Sequence, residues 1–219
     1  MKIENISTSI VLLAKNHHVM GLHPSFLSNE NIVPFDWGTT GEIICTPAFS
    51  TVNYKNNYSF NIDNNKLQII NKDITLFLED SKVADLAIKY INRLDYINYY
   101  AIGINFTFFI YLENPEKFLI EKFFNLNMLE KFPKKLKKVE LKFTCKLDST
   151  ILNLNLKSGL LENRNEDITG KGIFIDTNYH YDLKSKNRIE DSKEYLLTYN
   201  EKCIHIRETI NKVINNGKL

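Results

Sequence analysis

Residues 101–112 alternate with almost no fault, placing Ile102, Ile104, Phe106, Phe108, Ile110 and Leu112 on one side of the backbone. A period of two is that of a pleated strand. One apolar side means one buried face, the pattern of an antiparallel sheet covered on a single side. The same period returns at Val139, Leu141, Phe143, Cys145 and Leu147, and again at Leu152, Leu154 and Leu156. Elsewhere it gives way to a period near 3.6. Ala84, Ala87, Ile88 and Ile91 form one stripe, and Leu196, Tyr199, Cys203, Ile206, Ile210 and Val213 form another. A chain that switches between these two periods folds as α+β, with an antiparallel sheet or sheets carrying helices on one face.

Laid out along the chain, the pattern predicts strands at 6–14, 42–52, 58–63, 66–70 and 74–78. A short helix at 24–30 and a helix at 81–94 capped by Asp80 or Ser81 complete this half. The pairs Asn56-Asn57 and Asn64-Asn65 suit hairpin turns, because Asn tolerates positive φ. The rest of the chain predicts a strand at 101–112, a helix from Asn114-Pro115 to about 129, and strands at 139–147 and 152–156. A polar loop at 159–171, a strand at 172–183 and a terminal helix at 192–214 follow. Residues 1–97 and 98–219 thus each read β-α-β-β-β-α, with an extra short strand in the first, as a pseudo-duplicated pair of halves or as one continuous domain. This order resembles clamp-like, TATA-binding-protein-like and helix-grip architectures, a likeness of element order that carries no function. The strand at 6–14 is nearly uncharged, so at a sheet edge it would favour a symmetric dimer that covers it.

With 219 residues, 43% of them hydrophobic and 25% charged, the chain is long and apolar enough to bury a core. A formal net charge of +2 shows no overall bias toward polyanions. Cys45, Cys145 and Cys203 are far apart and contain no CxxC pair, so free thiols in a reducing cytoplasm are expected. The apolar stretch at 10–14 is too short for a signal-peptide core, and no run approaches the roughly 18 apolar residues of a membrane helix. Abundant Asn, Lys and Ile beside sparse Gly and Pro are what AT-rich codons produce, which points to a bacterial or phage genome.

Four constellations bear on chemistry. Asp176, Asn178, His180 and Asp182 share one face of the strand at 172–183, and Asp176, His180 and Asp182 are the candidate ligands for a divalent metal or the parts of an acid–base pair. A solvated strand face looks the same in sequence. His17, His18, His23, Asp36 and Cys45 hold zinc-type side chains at a spacing that matches no finger or ribbon. Glu140-Leu-Lys142 satisfies a minimal nuclease E-x-K without the preceding carboxylate that the chemistry needs. Lys131, Lys134, Lys135, Lys137, Lys138 and Lys142, with Lys146 beyond them, form a basic strip suited to phosphate backbone or an acidic protein surface. The strip has no arginine, so bidentate recognition is poorly served, and a lysine-rich face also guards a sheet edge against aggregation. His205 falls opposite the apolar seam of the last helix and reads as a solvated histidine. Trp37, in Pro34-Phe35-Asp36-Trp37-Gly38, reads as a ring folded back onto the core.

No glycine-rich phosphate loop or other cofactor motif is present, and none of the constellations makes the chain an enzyme by itself. The reading that best fits is a non-catalytic interaction or assembly protein, a subunit of a bacterial or phage multi-protein system that binds a protein partner or itself. A nucleic-acid-binding module using the strip at 131–146 is the alternative. A metal-dependent hydrolase resting on the Asp176–Asp182 face is third.

Overall fold

The computed structural model describes residues 1–124, 136–163 and 168–215. Nine strands form one antiparallel sheet: β1 (Ile3–Lys15), β2 (Ile44–Cys45), β3 (Phe49–Asn53), β4 (Tyr58–Asp63), β5 (Lys66–Asn71), β6 (Asn98–Tyr111), β7 (Glu140–Lys146), β8 (Ile151–Asn163) and β9 (Ile168–Asp182). Their order across the sheet is β2-β3-β4-β5-β1-β6-β9-β8-β7. Five α-helices accompany them: α1 (Pro24–Asn29), α2 (Val83–Arg93), α3 (Pro115–Phe123), α4 (Arg188–Leu197) and α5 (Tyr199–Asn215). The protein is therefore α+β, and among the described residues no helix is long and apolar enough to cross a membrane.

One sheet runs through both expected halves. β1 and β6 pair at its centre from Ile3 opposite Ile110 to Lys15 opposite Asn98, with shifts of register near Asn5 and Ala14. On each side the later strands stack outward in reverse chain order. This likeness between the halves is one of order only, and an internal duplication does not follow from it. β1 is also paired with β5 from Thr8 to Leu13, so the uncharged strand lies in the interior of the sheet. The argument for a dimer from an exposed β1 edge falls away, because from Thr8 to Leu13 the strand is paired on both sides.

The alternating residues sort the sheet into two unlike faces. Ile10, Leu12, Phe60, Leu67, Ile69, Ile102, Ile104, Phe106, Ile175 and Tyr179 are buried on one of them. Helices α2, α4 and α5 supply Leu86, Tyr90, Leu196, Tyr199, Cys203, Ile206 and Ile210 to the same core. Tyr195 of α4 stacks on Tyr181 of β9 at 4.4 Å, and Tyr199 of α5 meets Phe106 of β6 at 5.7 Å. Among the described residues no helix covers the other face.

Several local expectations are corrected. Residues 74–78 do not form a strand. The Asp73 carboxylate accepts from the Thr75 N–H and hydroxyl, closing an Asx turn before a single 3-10 turn at Leu78–Asp80. The strand at 42–52 is split into β2 and β3 by a turn in which Thr46 bonds Phe49 through its hydroxyl. Helix α2 starts after Lys82 rather than being capped by Asp80 or Ser81, and the Ser81 hydroxyl instead accepts from the Asn71 amide at 3.1 Å. The helix after Pro115 ends at Phe123, and residues 125–129 of the expected helix lie outside the described residues. The terminal helix breaks at Thr198 into α4 and α5, yet its seam from Leu196 to Ile210 stays buried.

Of the expected loop at 159–171, residues 159–163 and 168–171 instead extend β8 and β9, with Gly159 opposite Gly172 and Leu161 opposite Gly170, while residues 164–167 lie outside the described residues. Its glycines make room for rings. A Cβ on Gly172 would lie 2.1 Å from the Ile110 carbonyl and 2.5 Å from the Phe109 ring, and one on Gly170 would lie 2.5 Å from the Tyr111 ring. In sequence these glycines read as loop. In the sheet they mark close approach.

Candidate functional site

The uncovered face carries polar side chains in cross-strand rows. One row runs Ser9, Asn105, Asn178, Asn153 and Thr144 across β1, β6, β9, β8 and β7, each residue directly opposite the next. Their side chains are linked head to tail. Thr144 Oγ1 donates to Asn153 Oδ1 at 2.9 Å, Asn153 Nδ2 to Asn178 Oδ1 at 3.2 Å, and Asn178 Nδ2 to Asn105 Oδ1 at 2.7 Å. Asn105 Nδ2 then donates to Ser9 Oγ at 3.4 Å, which also accepts from Gln68 Nε2 of β5 at 3.3 Å. The ladder thus spans six adjacent strands; from Thr144 to Ser9 its links all point the same way, so each amide polarises the next, and Gln68 donates into Ser9 from the other side.

A carboxamide has two N–H groups and two carbonyl lone pairs. The Asn153 and Asn178 links each use one donor and one acceptor, so both side chains keep capacity for a ligand. Gly103 makes the packing of this row possible. A Cβ there would lie 2.8 Å from Asn178 Nδ2 and 3.6 Å from Val11.

A second row lies beside the first: Ser7, Thr107, Asp176, Asn155 and Lys142. Asp176 accepts from the Thr107 hydroxyl at 3.0 Å, and its other oxygen is 4.0 Å from Lys157 Nζ. Asn155 donates to Glu140 at 3.1 Å, while its Oδ1 is buried with no partner. Asn155, ahead of Lys142, holds the Glu140 carboxyl below the usual carboxylate range.

Both rows line a cleft of about 680 Å³. Lys66, Gln68 and Lys72 stand on its β5 side, and Lys142 and Thr144 stand on its β7 side. The cleft therefore runs across the open face from β5 to β7. Lys66, Lys72 and Lys146 form no ion pair among the described residues, while Lys142 shares Glu140 with Lys138. The only carboxylate among the lining residues is Asp176.

The residues singled out in sequence meet different fates. Asp176, His180 and Asp182 do share the open face of β9, but they do not converge. Four residues of strand separate Asp176 from His180 by about 13 Å. His180 Nε2 donates to Asp182 at 3.1 Å, and Lys184 and His180 together hold the Asp182 carboxyl below its ordinary range. No group of three metal-ligating side chains forms among the described residues. The histidines near the first loop are likewise engaged separately. His17 is buried against the Leu12 carbonyl at 3.2 Å, and His23 caps α1 by accepting from Ser25 N–H at 3.2 Å. For Glu140 and Lys142, the Asp176 carboxylate is two strands away, about 10 Å, which leaves the E-x-K pair without a second metal ligand.

Of the basic strip, Lys131, Lys134 and Lys135 lie outside the described residues. Lys137 and Lys138 are exposed ahead of β7, and Lys142 and Lys146 face the cleft side of it. Trp37 packs on Tyr54 and Tyr58 at 5.4 and 4.9 Å, as its inward reading expected. His205 is exposed but not merely solvated, since its Nδ1 meets the Tyr179 hydroxyl at 2.5 Å.

Sequence reasoning missed Ser9, Gln68, Lys66, Lys72, Gly103, Asn105, Asn153 and Asn155. The available signal was that the polar members of Ile104-Asn105-Phe106-Thr107 and Leu152-Asn153-Leu154-Asn155 are amides and a hydroxyl, where a plain solvated face carries Lys and Glu. No family model and no curated protein sequence matches the chain.

Proposed function

We propose that this chain is a non-catalytic interaction protein and that the open face of its sheet is the surface on which an anionic partner docks. The observation that carries this reading is the side-chain ladder from Gln68 to Thr144, preorganised on a face without helices and flanked by lysines on both sides. Amides and hydroxyls fixed in advance lose little freedom on binding, which favours recognition. Lysines with no carboxylate to neutralise them, Lys66 and Lys72, supply the attraction. The face lacks the pairing of a nucleophile with a base that group transfer needs, since the His180–Asp182 pair has beside it Gly103 and Ile151 on the neighbouring strands.

Chromatography on a heparin matrix tests the reading. Retention at low salt, lost at high salt and abolished by Lys66→Glu with Lys72→Glu, is the expected result. Flow-through of the unaltered protein at the lowest salt would overturn it.

A further inference from the structure

We infer that the anionic partner is a double-stranded nucleic acid, seated with a groove over the amide ladder and its two phosphodiester strands against the lysines on either side. This rests on the open face being a docking surface for anions.

Two pairs of lysines form rails at the sides of this face, with Glu140 beside Lys142 on the β7 side. Lys66 opens β5 and Lys72 directly follows its last residue. Lys142 and Lys146 lie on β7, with Lys142 opposite Asn155 and Lys146 opposite Ile151. Five strand spacings separate the rails, about 24 Å across the sheet. Lysine's flexible four-carbon stem lets each ammonium adjust to a phosphate on its own side of the duplex. Between the rails the floor is neutral and rich in donors and acceptors, apart from Asp176. Two cationic rails flanking a hydrogen-bonding floor complement a duplex, in which two phosphate rails flank a groove of base edges.

The same layout disfavours other polyanions. An acidic polypeptide laid across the floor would bring its carboxylates onto Asp176, which repels them. A duplex keeps its phosphates at the rims and presents base edges there instead, and their exocyclic amines donate to a carboxylate. A single strand binds best where bases stack on aromatic rings. Phe143 is the one aromatic among the lining residues, and its side chain points to the other face, where its ring meets Phe123 at 5.7 Å.

Fluorescence anisotropy with the full chain decides the matter. The probes are a labelled duplex of about two helical turns, the corresponding single strand, and polyglutamate of equal charge. The duplex is expected to bind most tightly. Its affinity should fall with salt at a log–log slope of about −3.6 if each of the four lysines neutralises one phosphate. Lys66→Glu/Lys72→Glu and Lys142→Glu/Lys146→Glu should each weaken it by roughly tenfold or more. Lys89→Glu, on the exposed side of α2, should leave it unchanged. Circular dichroism of each variant checks that it is folded. Binding of polyglutamate or single strand in preference to the duplex overturns the inference and leaves the docking surface standing. Binding of none of the three probes overturns both. Duplex binding that neither rail variant diminishes places the site elsewhere and overturns it as well.

Discussion

Asn178 donates its side-chain amide to Oδ1 of Asn105 across the β9–β6 boundary at 2.7 Å, over a backbone position where Gly103 leaves the space. This contact joins the part of the ladder on β7, β8 and β9 to the part on β6, β1 and β5. A side chain at 103 and the amide of Asn178 compete for the same volume. Asn178→Ala, which strands Asn105 Oδ1 and Asn153 Nδ2, should cost about 1–2 kcal/mol in denaturant unfolding. Gly103→Ala should destabilise the native protein but cost less when Asn178 is already alanine. A coupling of about 0.5–1 kcal/mol is expected from the double-mutant cycle, and strict additivity would show that the two positions are independent.

The seam of α5 yields a stability contrast within a single helix. Ile206 is fully buried, whereas Ile204, two residues earlier, is 54% exposed. Ile206→Ala should cost about 2–4 kcal/mol through lost burial and the cavity left behind. Ile204→Ala should stay within about 0.5 kcal/mol. Ile206→Asp, which forces a charge into the core, should leave the protein unfolded or aggregated. Equal melting temperatures for the two alanine variants would mean that the helix does not dock through this seam.

Burial lowers the His17 pKa, against smaller opposing effects from the Leu12 carbonyl and the charge of Asp63. The Leu12 carbonyl can only accept, so Nε2 carries the proton of the neutral ring, and Nδ1 is buried with no partner to receive a second. The unfolded chain takes up a proton near pH 6.5 while the folded one resists, so acidification favours unfolding. Stability should fall as pH drops through about 6.5 and level off once pH passes below the lowered folded value. His205, also depressed by burial and by Lys202, acts in the same direction. Denaturation midpoints of the parent and His17→Gln between about pH 8 and pH 5 should converge toward low pH, because the variant lacks this acid loss. Parallel curves would remove His17 from the linkage.

Burial pushes the Cys203 thiol up to about 12, whereas Cys45 and Cys145 are exposed. The thiolate is the reactive form, so Cys203 should resist alkylation in the native protein. Mass spectrometry after brief iodoacetamide treatment near neutral pH should find label on Cys45 and Cys145 alone, with Cys203 labelled only in denaturant. Native labelling of Cys203 at a rate matching the other two would show that α5 opens readily from the sheet.

Periodicity within a strand depends only on neighbours along the chain, and it was legible. The α+β class, the buried faces of β6, β8 and α5, and the turn at Asn57, where φ is +65°, all follow from local spacing and residue type. Local chemistry also misled where a tertiary neighbour changed its meaning. Gly170 and Gly172 read as loop because the rings that pass over them come from Tyr111 and Phe109, about sixty residues earlier. β1 read as a possible edge because nothing in residues 3–15 tells that β5 and β6 close on both sides of it. The candidate site belongs wholly to this second kind. Asn105, Asn153 and Asn178 each sit on an ordinary polar strand face, and only the order β6-β9-β8 and its register bring their amides into one chain of hydrogen bonds. Strand order is set by burying all the apolar faces under one layer of helices, a sum over the whole molecule that no single segment encodes.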